Sequence, residues 1–202
     1  MARTSSFLDL GVQQSLVLNV EGLRLTNEQF YKLCRENSEL QFELTAQKEL
    51  VIMTPTGSKT GWRNAKLIQR LANWTEKDGT GIAFDSSAGF TLPKGAKRSP
   101  DASWVRRERW DALTPQQQET FAPLCPDFVV ELRSPENSLS ELQSKMSEYI
   151  DNGSRLGWLL DPENKQVYVY HPGKFAVGLE DPESVSGDPV LPGFIFNVRE
   201  IW

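Results

Sequence analysis

Histidine and cysteine are almost missing from this chain of 202 residues, which has one histidine, His171, and two cysteines, Cys34 and Cys125. A zinc site built on histidine is thereby excluded, and any Ser-His-Asp or Cys-His machinery would have to run on His171 alone. That residue lies in VYVYHPG, where a strand gives way to a Pro-Gly turn, a setting that predicts a structural role. The two cysteines have no metal-like spacing. Cys34 stands among Phe30, Tyr31 and Leu33 and reads as a core thiol kept reduced inside the cell. No apolar run approaches the length of a membrane span or of a signal peptide, so the sequence predicts a cytoplasmic protein. An excess of positive charge is missing too. The net charge of -5 argues against a protein that coats nucleic acid over its whole surface, though not against a local basic face. Chemistry in this chain therefore rests on carboxylates, lysine and arginine.

What remains has the composition of a globular domain, 39% hydrophobic and 24% charged, at a length suited to one α/β domain. Residues 1–24 read as an N-terminal arm with a short strand at Leu16 to Val20. Thr26-Asn-Glu-Gln is a capping-box pattern that opens a helix to about Glu36. LQFELTA and KELVIMT alternate as a hairpin, with Leu40, Phe42 and Leu44 on one face and Gln41, Glu43 and Thr45 on the other. After Pro55, Gly57 and Ser58, a second helix runs from about Lys59 to Lys77. Short strands follow near Gly81, Gly89 and Ala102, then a polar, partly helical excursion. PDFVVELRSP holds the most β-prone run. Ser138-Leu-Ser-Glu repeats the capping-box pattern before a helix that stops at Asn152-Gly153, and RLGWLLDP, QVYVYHP and FAVGL close the chain as strands. This order predicts a central mixed sheet with helices packed on it.

Three features carry candidate chemistry. Lys59, Arg63, Lys66, Arg70 and Lys77 fall within a helical sector about 60° wide, opposite Leu67, Ile68 and Leu71. The sector is either a solvated face or a surface for phosphates, with Lys94, Lys97 and Arg98 as further candidates. Asp101 follows Pro100 at a strand start, and Glu131 ends the apolar run Phe128-Val129-Val130. These two are either strand-end acids paired with arginine or a hard oxygen site for magnesium. Asp127, four residues before Glu131, is about 13 Å away along the strand and reads as a strand-start residue. Lys145 lies at the edge of the apolar stripe Leu142, Met146, Tyr149. It either pairs with Glu141 at i,i+4 or reaches over the end of the Glu131 strand.

Pro100-Asp101, followed by Glu131-Leu132-Arg133 in a buried strand, resembles the PD-(D/E)xK nuclease superfamily. The longer runs MTPTG, SPDASWV, Pro126 to Tyr170 and VLPGFIFNVREIW resemble a bacterial family of restriction-endonuclease-like proteins, over nearly the whole chain from Leu25 to Trp202. The resemblance implies an α/β restriction-endonuclease-like core, a four-stranded mixed sheet flanked by helices, at residues 25–202. It implies a DNA endonuclease with magnesium, or manganese in its place, held by Asp101, Glu131 and the Leu132 carbonyl. Glu43 matches the acid that accompanies the pair, and a homodimer would cut both strands. Two departures stand out. Arg133 occupies the place of the superfamily's lysine, a role that the resemblance moves to Lys145, and Thr60 stands where relatives have histidine. The expected site is thus Asp101, Glu131, Lys145, Glu43 and Arg133, with Lys59, Arg63, Lys66 and Arg70 toward DNA. The expected distance from the Lys145 ammonium to the Glu131 carboxylate is within about 6 Å, close enough for direct charge interaction, and lysine, unlike arginine, permits burial and neighbours to bring its pKa toward neutrality. The competing expectation, from another class, is a catalytically silent nucleic-acid-binding or interaction protein that keeps the fold.

Overall fold

The computed structural model describes residues 15–53, 55–135 and 137–202, and the first 14 residues of the predicted arm lie outside them. The chain opens with β1 (Ser15–Asn19), α1 (Asn27–Glu36), β2 (Gln41–Leu44), β3 (Glu49–Met53) and α2 (Ser58–Asp78). Next come β4 (Gly81–Asp85), β5 (Phe90–Thr91), β6 (Lys97–Arg98), β7 (Ala102–Arg106), and the short helices α3 (Arg107–Asp111) and α4 (Pro115–Gln118). The remainder is β8 (Phe128–Leu132), α5 (Leu139–Asp151), β9 (Leu156–Asp161), β10 (Gln166–Tyr170), β11 (Val177–Glu180), β12 (Ser184–Ser186) and β13 (Ile195–Asn197).

Local chemistry accounts for most of these boundaries. The Thr26 hydroxyl accepts the Gln29 N–H while the Gln29 side chain accepts the Thr26 N–H, so α1 starts in a complete capping box. α2 ends where Gly79 takes a left-handed φ of 72°, a conformation that costs glycine little. At the start of α5 the structure departs from expectation: Ser138 occupies the N-cap position but makes no capping hydrogen bond. Its hydroxyl pairs with that of Ser140 instead.

The strands form a mixed six-stranded sheet in the order β11-β10-β9-β8-β7-β4, larger than the four-stranded core expected. Only β8 and β9 run parallel in it, joined across α5. A five-stranded sheet, β1-β3-β2-β6-β5, stands beside it, and β12 pairs with β13. Alternation along β8 sorts its side chains between two cores. Phe128, Val130 and Leu132 pack with Leu67 and Leu71 of α2, with Trp104, and with Phe194 and Phe196 from the closing segment. Val129 points the other way, into a cluster with Leu142, Met146 and Tyr149 of α5. Glu131 shares the period-two face of Val129, the face covered by α5. The smaller sheet buries Phe42, Leu44 and Leu50 against Phe30 of α1, with Cys34 half-buried at the margin.

A buried carboxylate and lysine cluster as candidate active site

The strand β7 pairs antiparallel with β8 in the register Ala102↔Val130 and Ser103↔Val129. One step further along that register sets Asp101, the residue before β7, across from Glu131. Directly opposed residues have Cα atoms about 4.5–5.5 Å apart. The Asp101 carboxylate is fixed to β8 itself: Oδ2 accepts the Leu132 N–H at 2.7 Å, and Oδ1 accepts Asn64 Nδ2 of α2 at 3.0 Å.

Lys145 comes to the same place from α5. Its Nζ lies 2.9 Å from Glu131 Oε1 and 2.9 Å from Glu43 Oε1, and Glu43 and Glu131 are only 2% and 4% exposed. The i,i+4 partner Glu141 takes no part. Glu43 faces away from the Phe42 and Leu44 core, as alternation requires, yet α5 stands over that polar face and buries it. Arg98 of β6 completes the line, donating to Glu43 Oε2 at 2.9 Å and to Glu148 Oε2 of α5 at 2.6 Å, while the Ser99 N–H donates to Glu43 Oε1. The Tyr149 hydroxyl donates to Glu131 Oε1 at 3.0 Å. Glu43, Asp101, Glu131, Leu132 and Lys145 all line one groove of about 870 Å³, which Thr60 also borders.

The electrostatics follow from burial against pairing. Burial pushes the Glu131 carboxyl up to about 7, against the pull of Lys145, with Asp101 and Glu43 adding repulsion in the same direction as burial. Burial likewise raises Asp101, against the Leu132 N–H and Lys145. For Glu43 burial is outweighed by Lys145 and Arg98, which hold it below the ordinary carboxylate range. Burial works against the charge on Lys145, but Glu131 and Glu43 prevail and raise its pKa. The shift toward neutrality that a lysine permits is thus not realised here, and Lys145 is a fixed cation. With all four acids ionised, Glu43, Asp101, Glu131 and Glu148 face only Lys145 and Arg98, an excess of two negative charges.

Several predicted site residues lie elsewhere. Arg133 follows the last residue of β8, where the strand alternation ends. Its guanidinium turns to Asp161, at 2.7 Å, and to the Asn137 carbonyl, away from the carboxylate cluster. Arg63 is 4% exposed and donates Nε to the Ile201 carbonyl at 2.7 Å, because the closing segment folds back over α2. Arg70 pairs with Glu200 of that segment. The sector from Lys59 to Lys77 is thus no continuous basic face: Lys59 and Lys77 are exposed and Lys66 half-buried. Lys97 and Arg98 are buried as well, with Lys97 donating to Asn27 and Thr91. Asp127 is a strand-start residue that pairs with Arg109. The sequence reading missed the roles of Asn64, Glu148 and Tyr149, and placed Arg98 on the surface. Each is tied to its partner through the tertiary fold alone, and only the i+4 step from Lys145 to Tyr149 was a visible signal.

A metal centre is supported by the donor chemistry. Among the described residues no group of three or more His, Cys, Asp or Glu has metal-holding geometry. Magnesium, however, is commonly held by one or two carboxylates, with water and phosphate oxygens filling its octahedron. Asp101 and Glu131 can supply two such oxygen donors, Leu132 borders the same groove, and with all four acids ionised the charge excess equals the charge of one divalent ion. The buried Asn64 Oδ1 has no hydrogen-bond partner among the described residues, one amide group from Asp101, where an ion's water shell would satisfy it.

Residues 27–199 match the Uma2 family, described as "Putative restriction endonuclease". The fold is similar to that of a protein from Anabaena variabilis ATCC 29413 described as a putative nuclease belonging to DUF820. The TM-score is 0.72 at 20% identity, over 88% of this chain and 97% of that one. No curated protein matches. The family match runs from the first turn of α1 to the last residues, and it spans every member of the carboxylate and lysine cluster: the chain belongs to the Uma2 family.

Proposed function

We propose that this protein is an endonuclease that hydrolyses phosphodiester bonds of DNA with a divalent cation, magnesium or in its place manganese, held between Asp101 and Glu131. The observation that carries the reading is the convergence of Glu43, Asp101 and Glu131 around Lys145, at the ends of two central strands and open to a groove. When bound, the ion would polarise the scissile phosphate and lower the pKa of a coordinated water. The chain's own residues do the rest. Asp101 and Glu131 hold the ion, with the Leu132 carbonyl as a third donor. Lys145 has three N–H donors and gives two of them to Glu43 and Glu131, which leaves one for the attacking water or the phosphate. As a fixed cation beside the phosphate it would stabilise charge developing in the transition state. Glu43 positions Lys145, and Arg98 positions Glu43.

No described helix is long and apolar enough to cross a membrane. Burial pushes the thiols of Cys34 and Cys125 up to about 11 and about 12, which makes them poor nucleophiles. A cytoplasmic homodimer that cuts both strands completes the reading. The test is nicking of supercoiled plasmid by the full-length protein. Cleavage is expected with Mg²⁺ or Mn²⁺, is lost with a chelator, and falls to background in Asp101→Asn and Glu131→Gln. Wild-type protein that binds DNA and leaves it intact with either ion would sink the nuclease reading in favour of a catalytically silent binding protein.

A further inference from the structure

Two donors meet on one oxygen at the cluster: Lys145 Nζ at 2.9 Å and the Tyr149 hydroxyl at 3.0 Å both reach Glu131 Oε1. Among the described residues Glu131 Oε2 accepts no hydrogen bond, although Glu131 is nearly buried and borders the groove. Glu43 differs, since Oε1 takes Lys145 and the Ser99 N–H and Oε2 takes Arg98, so both of its oxygens are engaged. The two buried glutamates therefore have different chemistry. Glu43 is held at both oxygens by cations and a backbone donor, whereas Glu131 is pinned by one oxygen and free of donors at the other.

From this asymmetry, and resting on the metal-dependent reading above, we propose that Tyr149 is a positioning residue of the metal centre. Its hydroxyl and the Lys145 ammonium together occupy Glu131 Oε1, fix the carboxylate's rotation, and leave Oε2 as the oxygen offered to a divalent cation. Tyr149 is suited to this because its ring is fully buried with Leu142 and Met146 in the core beneath α5, so the hydroxyl has little freedom. A buried tyrosine hydroxyl requires a partner, and the carboxylate is the one it has. The ring also lies under the lysine, whose Nζ is 6.0 Å from its centroid, so one side chain constrains both members of the ion pair. Hydrogen bonds that orient a ligating group are worth roughly 10–100-fold in metal affinity.

The test is calorimetric titration of Mg²⁺ and of Mn²⁺ into the full-length, metal-free protein, with thermal unfolding of the same samples. Tyr149→Phe keeps the ring and removes only the hydroxyl. It is expected to melt close to wild type without metal and to bind either ion about 10-fold more weakly. A second measurement does not depend on that variant folding. Wild type labelled with 3-fluorotyrosine carries four labels, at Tyr31, Tyr149, Tyr168 and Tyr170. Metal is expected to move the resonance of Tyr149, assigned by elimination from Phe substitutions at the other three. Wild type that binds metal with unchanged affinity in Tyr149→Phe overturns the role of Tyr149 and leaves the metal centre standing. An unmoved Tyr149 resonance on metal binding does the same. Wild type that binds neither ion overturns the metal centre and this inference with it.

Discussion

Lys145 and Arg133 stand 14 and two residues beyond Glu131, and the nearer of them points elsewhere. Strand alternation would keep Arg133 on the face of Glu131, but β8 ends at Leu132, and Asp161, fully buried, claims the guanidinium. Lys145 reaches both Glu131 and Glu43 from the helix above. The two residues therefore predict different phenotypes. Lys145→Ala is expected to abolish plasmid nicking while leaving DNA binding nearly intact in a gel-shift titration. Arg133→Ala is expected to act on stability, because it leaves a buried carboxylate without its cation. Breaking such a pair costs roughly 3 kcal/mol, which should appear as a lower Tm, with the residual folded protein still active. An Arg133→Ala variant with wild-type stability and no activity would reverse the two assignments.

Helix α2 shows what periodicity can and cannot carry. Its apolar positions, Leu67 and Leu71, are buried as the spacing requires. The charged sector opposite them is interrupted by residues far away in the chain, since Ile201 takes Arg63 and Glu200 takes Arg70. Replacing Arg63 by Gln is accordingly expected to lower thermal stability by about 1–3 kcal/mol, the range for a hydrogen bond from a charged group or a buried acceptor left unpaired. It is expected to leave the salt dependence of DNA binding unchanged, whereas Lys59→Gln and Lys66→Gln should each reduce the slope of log K against log salt by at most about one. A large loss of slope on replacing Arg63 alone would return it to the DNA interface. The same contrast runs through the whole reading. The capping box of α1, the first hairpin, the strand at Phe128 and the helix after it were legible because each is set by neighbours a few residues apart. Asp101, Glu131, Glu43 and Lys145 were legible through motif resemblance. The partners of Arg98 lie 55 and 50 residues away, and those of Arg63 and Arg70 lie 138 and 130 away, so no local pattern encodes them. Ser138 shows the reverse failure, a complete local signature whose hydroxyl bonds to Ser140 instead.

At the scale of the molecule, the cluster lies where the five-stranded sheet meets the six-stranded one. Glu43 and Arg98 come from the first, Asp101 and Glu131 from the second, and Lys145 and Glu148 from the helix between them. Uncompensated negative charge at such a junction couples stability to both pH and metal. In the unfolded chain Glu131 titrates near 4.5, and in the metal-free fold near 7. Between those values the folded protein keeps a proton that the unfolded chain has lost. The slope of unfolding free energy with pH is then negative, and this group's contribution falls as pH rises through that window, then levels off. Glu43, shifted downward, contributes in the opposite sense, and its share is lost only as pH falls below the ordinary carboxylate range. The metal-free protein is therefore expected to lose Tm as pH rises from about 5 to about 7. A bound divalent cation requires Glu131 ionised, so its affinity should climb across the same interval. Near-saturating Mg²⁺ at about 100 times its Kd would add about 2.7 kcal/mol of stability. The Tm gain from Mg²⁺ should accordingly be larger at about pH 8 than at about pH 5. Asp101→Asn relieves part of the repulsion on Glu131 and removes a ligand, so it should melt at higher temperature than wild type without metal and respond little to Mg²⁺. Scanning calorimetry at several pH values, with and without Mg²⁺, measures all of these at once. A Tm difference that is independent of pH, or an Asp101→Asn variant that gains as much from Mg²⁺ as wild type, would show that the ion does not sit at this cluster.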